Sequence, residues 1–183
     1  MGATPTITPG GIPDGARSAT QASTMLLKEW ISIRYPTALV FYQLRLGPTD
    51  RSLVNVPVTP ALERLLRVAN WYADAVILTD TEGLIVEAKR EPDPSAVGQV
   101  LFYLRLYWST PDLLGYQQIP FSPVVLFPSN DVAVTDFARS LGVRVEIYTP
   151  PWYAAYIEGL LERRRGSRSA KPPAPVSSEL SRG

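Results

Sequence analysis

The chain has 183 residues, 45% of them apolar, and its 18 basic and 17 acidic side chains give a net charge of +1. This length and composition predict one packed globular domain with some excess at the ends, and the small net charge argues against a fold that attracts nucleic acid by its overall field. The absence of Cys and His excludes disulfides, thiolate and imidazole metal sites, the Ser-His-Asp triad and every nuclease that uses a histidine base.

The two ends of the chain have compositions that favour disorder over packing. Residues 1–18 are dense in Pro and Gly and predict a flexible arm, and residues 162–183 combine Arg and Lys with Pro and Ser and predict a basic, disordered tail. Residues 19–161 are then the folded domain. The arm lacks the apolar segment of a signal peptide, and no apolar run is long enough to span a bilayer, so we expect a cytoplasmic protein with no membrane contact.

Between the ends, helical and extended patterns alternate along the chain. The predicted elements, in chain order, are a helix at 22–34, a strand at 39–46, a short extended piece at 53–58, a helix at 60–69, strands at 73–78 and 84–89, a helix at 93–108, a strand at 123–127, a helix at 131–141, a strand at 143–148 and a short last helix. Residues 73–89 predict an antiparallel hairpin, and residues 123–148 predict a parallel, right-handed strand-helix-strand unit. The predicted fold class is therefore α/β, with a mixed central sheet flanked by helices.

Charged residues occur at the ends of the two otherwise apolar hairpin strands. Because side chains alternate along a strand, Glu87 and Lys89 emerge on the same face of the strand at 84–89. Asp74 belongs to the preceding strand and lies on that face if Leu78 pairs with Gly83, or with the residue two positions further on. A shift of one residue would move Asp74 to the other face. The hypothesis of one charged cluster therefore depends on the hairpin register.

Asp74, Glu87 and Lys89 together have the chemistry of a metal-dependent phosphodiesterase. Two neighbouring carboxylates repel each other unless a cation lies between them, and Mg²⁺ or Mn²⁺ prefers such oxygen ligands. A cation of this kind polarises a phosphoryl oxygen and lowers the pKa of a bound water, and a lysine adds positive charge beside the reacting phosphate. The alternative is an ordinary surface ion pair between Glu87 and Lys89, which would stabilise the fold by less than about 1 kcal/mol.

Four further residues are candidates because of their position on helices or beside the strand. Glu29 lies within the apolar stripe of the first helix, where it needs either a metal or a structural salt bridge with an arginine. Gln99 and Tyr103 are one turn apart on the helix after the hairpin, so they share a face, which is directed either toward a metal or phosphate or simply against the sheet. Arg90, beside Lys89, is a candidate for contact with a nucleic-acid backbone.

The motifs of residues 73–78, 83–90 and 98–103 together resemble the PD-(D/E)XK nuclease superfamily, and the Gln-xxx-Tyr pair of the third segment resembles the motif of its RecB-like branch. Ala73 stands where the family motif has Pro. The resemblance implies a restriction-endonuclease-like core of helix, three strands, helix and strand, which agrees with the predicted element order. The last helix and strand of the predicted sheet would then be an addition to that core.

By this resemblance the candidate residues take specific roles. The implied roles are metal ligation by Asp74, Glu87 and Glu29, and catalysis by Lys89 and Gln99 together with the two hairpin carboxylates. The implied reaction is hydrolysis of DNA phosphodiester bonds with Mg²⁺ or Mn²⁺, and we assign Arg90 and Tyr103 to DNA contact. The rival function is non-catalytic: a nuclease-fold component of a virus particle or a DNA-processing complex, with protein partners, a homo-oligomeric state left open and a virion location.

Overall fold

The computed structural model describes residues 19–48 and 71–169. The helices and strands are α1 Ala19–Arg34, β1 Leu39–Leu46, β2 Trp71–Leu78, β3 Gly83–Ala88, α2 Pro94–Leu106, β4 Phe121–Phe127, α3 Val132–Ser140, β5 Arg144–Ile147 and α4 Tyr153–Ser169. Two short 3-10 segments, Tyr107–Ser109 and Pro111–Tyr116, connect α2 to β4. The extended piece expected at 53–58 and the helix expected at 60–69 lie outside the described residues.

The strands form one mixed sheet. Its five described strands lie in the order β1-β2-β3-β4-β5. The β1–β2 and β2–β3 pairs are antiparallel, whereas the β3–β4 and β4–β5 pairs are parallel. The prediction of an α/β fold with a mixed sheet and flanking helices is therefore confirmed, including the antiparallel hairpin and the parallel unit that follows it.

The core lies on both faces of β3, which is buried along its whole length. One face is covered by α2, whose Ala96, Val97, Val100 and Tyr103 are buried in a cluster with Ile85. The buried side chains of α1 do not belong to this cluster, and α1 contacts β3, so it covers the other face. Since side chains alternate along a strand, Glu87 lies on the same side of β3 as Ile85, facing α2.

The helix ends follow from local side-chain chemistry. The carboxylate of Asp93 accepts a hydrogen bond from the Ser95 N–H at 2.8 Å, and Pro94 occupies the first turn of α2. Asp131 caps α3 in the same way, by accepting from the N–H of Val134 at 3.0 Å. Gly142, with a φ of 73°, follows α3 in the left-handed conformation that commonly ends helices.

The C-terminal helix differs from its prediction. The chain divides into two compact units, and α4 belongs to a different unit from the sheet, which lies in Asp14–Pro150. We expected a short helix before a tail beginning at residue 162, but α4 continues to Ser169. Its sequence there consists mainly of Leu, Glu and Arg, which favour helix, and the next Pro comes only at position 172. No helix in the described ranges is both long and apolar enough to cross a membrane.

Gly83 keeps β3 close to β4, and its replacement by Ala is expected to lower the free energy of unfolding by about 1–3 kcal/mol. A Cβ at this position would lie 2.5 Å from Cε1 of Phe121. That ring is stacked on Tyr107 with 4.3 Å between the centroids, so it has little room to move away. Urea denaturation of the variant measures the loss.

Gly98→Ala is the matched control for this substitution. Gly98 lies in α2, and outside the backbone of that helix and its two chain neighbours no atom of the described residues would lie within 4 Å of a Cβ at this position. Ala favours helix over Gly, so this variant is expected to gain about 0.5–1 kcal/mol. Equal stability of Gly83→Ala and the wild type would contradict the steric argument.

Candidate functional site

The register of the hairpin brings the two predicted carboxylates together. Leu78 pairs with Gly83, and the ladder continues to the pair of Ala75 and Val86. The next rung would place Asp74 across from Glu87, but the ladder ends one residue short of it. This is one of the two registers that the sequence hypothesis required.

The carboxylate of Asp74 is held from two sides. Its Oδ2 accepts a hydrogen bond from the backbone N–H of Ala88 at 2.9 Å, so the side chain takes the place that a strand carbonyl would occupy. Its Oδ1 accepts from Nε2 of Gln43 at 2.9 Å. Because Gln43 lies on β1 and Ala88 on β3, the orientation of Asp74 is determined by both neighbouring strands.

The carboxylate of Glu87 is buried, and only one of its two oxygens has a hydrogen-bond partner among the described residues. The residue is 5% exposed. Its Oε1 accepts from Nζ of Lys89 at 2.7 Å. Its Oε2 is also buried and has no hydrogen-bond partner in the described part of the chain. An oxygen of this kind is costly to bury, so the pair is not the exposed surface ion pair that formed the alternative interpretation.

The negative charge of Asp74 acts on the carboxylate of Glu87. The pKa of Glu87 is raised from its ordinary 4.5 to about 7, first by burial and then by the negative charge of Asp74, and the hydrogen bond and charge of Lys89 only partly offset this increase. Burial, followed by the charges of Glu87 and Asp74, also raises the pKa of Tyr103 to about 12. The phenol of Tyr103 is therefore neutral at physiological pH and lies within electrostatic reach of both acids.

Glu29 accepts a hydrogen bond from a residue that is not among the predicted site residues. Its Oε1 accepts a hydrogen bond from the hydroxyl of Tyr148 at 2.7 Å. Burial and this hydrogen bond raise the pKa of Tyr148. Within residues 19–48 and 71–169, no group of three or more Asp, Glu, His or Cys side chains is placed to hold a metal ion, so Glu29 does not form such a group with Asp74 and Glu87. Its role as a metal ligand stays a prediction.

The remaining candidates lie around the carboxylates in different environments. Tyr103 is buried, whereas Gln99, one turn earlier on α2, is exposed. Arg90 follows Lys89 directly, and its guanidinium lies 3.3 Å from the carboxylate of Glu91. Their roles in catalysis and DNA contact stay predictions.

Gln43 is a site residue that the sequence did not reveal. It is a polar and exposed residue in a strand rich in apolar and aromatic side chains, which is ordinary for a solvent-facing position. Neither its residue type nor its spacing connects it with Asp74, which is 31 positions away. The only signal is the three-dimensional pairing of β1 with β2.

The donor set of the site suits a hard divalent cation. It offers the oxygens of two carboxylates, and one of these oxygens, Oε2 of Glu87, is buried without a partner among the described residues. Mg²⁺ commonly binds through only one or two protein carboxylates and keeps several of its waters. A cation at this position would remove both the mutual repulsion of the acids and the unsatisfied oxygen.

Comparisons of the sequence with models of protein families and with curated proteins found no match. The geometry of the site therefore carries the functional interpretation.

Proposed function

We propose that this protein is a Mg²⁺- or Mn²⁺-dependent deoxyribonuclease of the PD-(D/E)XK type, with Asp74 and Glu87 as metal ligands and Lys89 as the catalytic lysine. The observation that carries the proposal is the buried Glu87 carboxylate, whose Oε2 lacks a partner in the described structure while Asp74 and Lys89 lie beside it. The superfamily resemblance of the motifs around these residues supports the same assignment.

A purely structural role explains this cluster poorly. A buried ion pair is often no better for stability than apolar side chains of the same size, and an unsatisfied carboxylate oxygen makes it worse. The surrounding strand residues are all apolar and buried, so Leu or Val at position 87 would fit the β3 pattern. Residues that lower the stability of the fold without a structural benefit are typical of functional sites.

In the proposed mechanism the protein orients the reacting groups and supplies compensating charge. A cation held by Asp74 and Glu87 would polarise the phosphoryl oxygen and make a bound water more acidic. The ammonium of Lys89, whose side chain is 27% exposed, is accessible from solvent and stabilises negative charge that develops on the phosphate. Tyr103, as a neutral phenol, can donate a hydrogen bond within the site, and Arg90 contacts the DNA backbone.

Lys89→Met is expected to reduce metal-dependent DNA cleavage by about 10²–10³-fold while leaving Mn²⁺ affinity within a few-fold of the wild type. Lys89 contributes charge in the transition state and is not a ligand, so catalysis and metal binding should separate. The assay is nicking of supercoiled DNA with and without Mg²⁺ or Mn²⁺, combined with calorimetric titration of Mn²⁺.

The control for the Lys89 experiment is Lys28→Met. Lys28 is an exposed lysine on α1 whose ammonium lies over the ring of Tyr42. This variant removes the same charge and should retain full cleavage. Full activity of Lys89→Met would reject Lys89 as the catalytic lysine.

The second candidate is a binding or structural component of a virus particle or DNA-processing complex. The observation in its favour is that the cations beside the site are already paired: Lys89 with Glu87, and Arg90 with Glu91. Such pairing leaves less positive charge for DNA phosphates. A wild-type protein that neither cleaves DNA nor binds Mn²⁺, and that assembles into a large oligomer by light scattering, would favour this candidate. Its location would then be the virion, whereas the enzyme would be cytoplasmic.

A further inference from the structure

Gln43 has an unusual backbone for its place in the sheet. Its φ of 50° is in the left-handed region, and it is the one non-glycine residue with a positive φ in the described ranges. Left-handed backbone is unfavourable for residues with a Cβ and is normally left to Gly, Asn or Asp. Gln43 nevertheless lies inside β1, with paired residues on both sides.

The distortion is confined to the rung that contains Asp74. The pairing of β1 with β2 has the same register before and after Gln43, so no residue is inserted, and only the rung of Gln43 and Asp74 is missing. The side-chain alternation changes at the same point. Phe41 and Leu44, three positions apart, both pack in the cluster beneath α2.

The neighbouring strand changes its alternation at the same rung. Ala73 and Val76 of β2, also three positions apart, belong to that same cluster. In a regular strand, residues three apart lie on opposite faces. Both strands are therefore rotated locally at the rung of Gln43 and Asp74, and at this rung the amide of Gln43 donates to Oδ1 of Asp74.

We propose that Gln43 is a positioning residue for Asp74, and that its left-handed backbone is kept because it directs the side-chain amide onto that carboxylate. Gln43 and the N–H of Ala88 together hold both oxygens of Asp74, at 2.9 Å each. In this orientation Asp74 would be a metal ligand directed toward the Glu87 carboxylate. This part of the inference rests on the proposed function. Backbone strain of this kind is often found at functional sites, where it orients a functional side chain.

The residue type supports this interpretation. Gly would adopt the same backbone without strain but would have no amide, and Asn would tolerate it better but has a shorter side chain. A residue selected only for this backbone conformation would be Gly, Asn or Asp. Gln combines an unfavourable conformation with the length that reaches Asp74.

The test is Gln43→Gly in the full chain, followed by NMR of the backbone amide of Ala88 and by calorimetric titration of Mn²⁺. We expect the melting temperature to be equal to or higher than that of the wild type, because strain is relieved. We also expect the Ala88 amide to shift and to exchange faster with solvent, and Mn²⁺ affinity to fall by about 10-fold, as when a residue that orients a metal ligand is removed. The KM for DNA should be unchanged.

Two further variants complete the experiment. Gln43→Met has nearly the same length without the amide and should reproduce the Ala88 and Mn²⁺ effects even if Gln43→Gly is poorly folded. Gln118→Met, at an exposed position before β4, should change neither. An unchanged Ala88 amide in both Gln43 variants would overturn the proposal. If the amide changes but the wild type binds no Mn²⁺, the positioning role stands and the metal-dependent function fails.

Discussion

Replacing Glu87 with Gln is expected to reduce metal-dependent DNA cleavage by at least about 10³-fold, because the variant loses a charged ligand and the amide cannot replace it. The substitution conserves size and shape, so the buried strand should remain packed. Cleavage rates at several Mg²⁺ and Mn²⁺ concentrations would show whether excess metal restores any activity. Calorimetry should show Mn²⁺ binding weakened in parallel.

Glu82→Gln is the matched control for this prediction. Glu82 precedes the same strand at the other end of the hairpin, where its carboxylate pairs with Arg144 at 2.9–3.1 Å. This variant removes one acidic charge from the hairpin without touching the proposed ligands, and it should cleave DNA like the wild type. Activity lost equally in both variants would indicate a general effect of charge and count against Glu87 as a ligand.

The same Glu87→Gln variant is expected to be more stable than the metal-free wild type at alkaline pH, by about 3 kcal/mol. The pKa of Glu87 rises from its ordinary 4.5 to about 7 on folding, and each unit is equivalent to roughly 1.4 kcal/mol. A raised carboxyl pKa means that the folded state binds the proton more tightly than the unfolded state. The contribution to stability is therefore fully present below about pH 4.5 and is lost as pH rises to about 7.

Gln is neutral at every pH, so the variant does not lose stability through this ionisation. The difference in unfolding free energy between Glu87→Gln and the wild type should therefore be small near pH 4, increase through the neutral range and level off above it. Urea denaturation in the presence of a chelator measures it at each pH. Adding Mn²⁺ should remove the advantage of the variant, since bound metal stabilises the ionised carboxylate. A difference that is independent of pH would show that Glu87 titrates normally.

Local patterns predicted most of the described fold. The strand at 39–46 has the bounds predicted from its pattern and its content of Val, Phe and Tyr, and Asp93-Pro94-Ser95 located the start of α2 correctly. These features depend on neighbours in the chain, namely alternation and capping, so composition and spacing suffice. The end of α2 was less predictable, because the chain passes into a 3-10 turn at Tyr107 without a breaker residue.

The candidate site was only partly predictable. Alternation along β3 placed Glu87 and Lys89 together, and the ion pair between them is present. Whether Asp74 joins these residues depends on the hairpin register. Two of the three simplest alignments would place Asp74 on the same face as Glu87. A metal or an arginine was the expected partner of Glu29, whereas the hydrogen bond to its carboxylate comes from Tyr148, which is 119 residues away.

Residue types and short spacings alone determine three features of this protein. These are the α/β class, the absence of histidine and thiolate chemistry, and the common face of Glu87 and Lys89. Only the folded chain shows that Glu87 is buried, that its Oε2 has no hydrogen-bond partner among the described residues, and that Gln43 has a left-handed backbone and donates to Asp74. The physical reason is that desolvation and hydrogen-bond satisfaction depend on which distant segments pack together. In this protein those contacts bury the carboxylate of a common Glu-x-Lys pattern, and they bring the left-handed Gln43 into hydrogen-bond contact with Asp74.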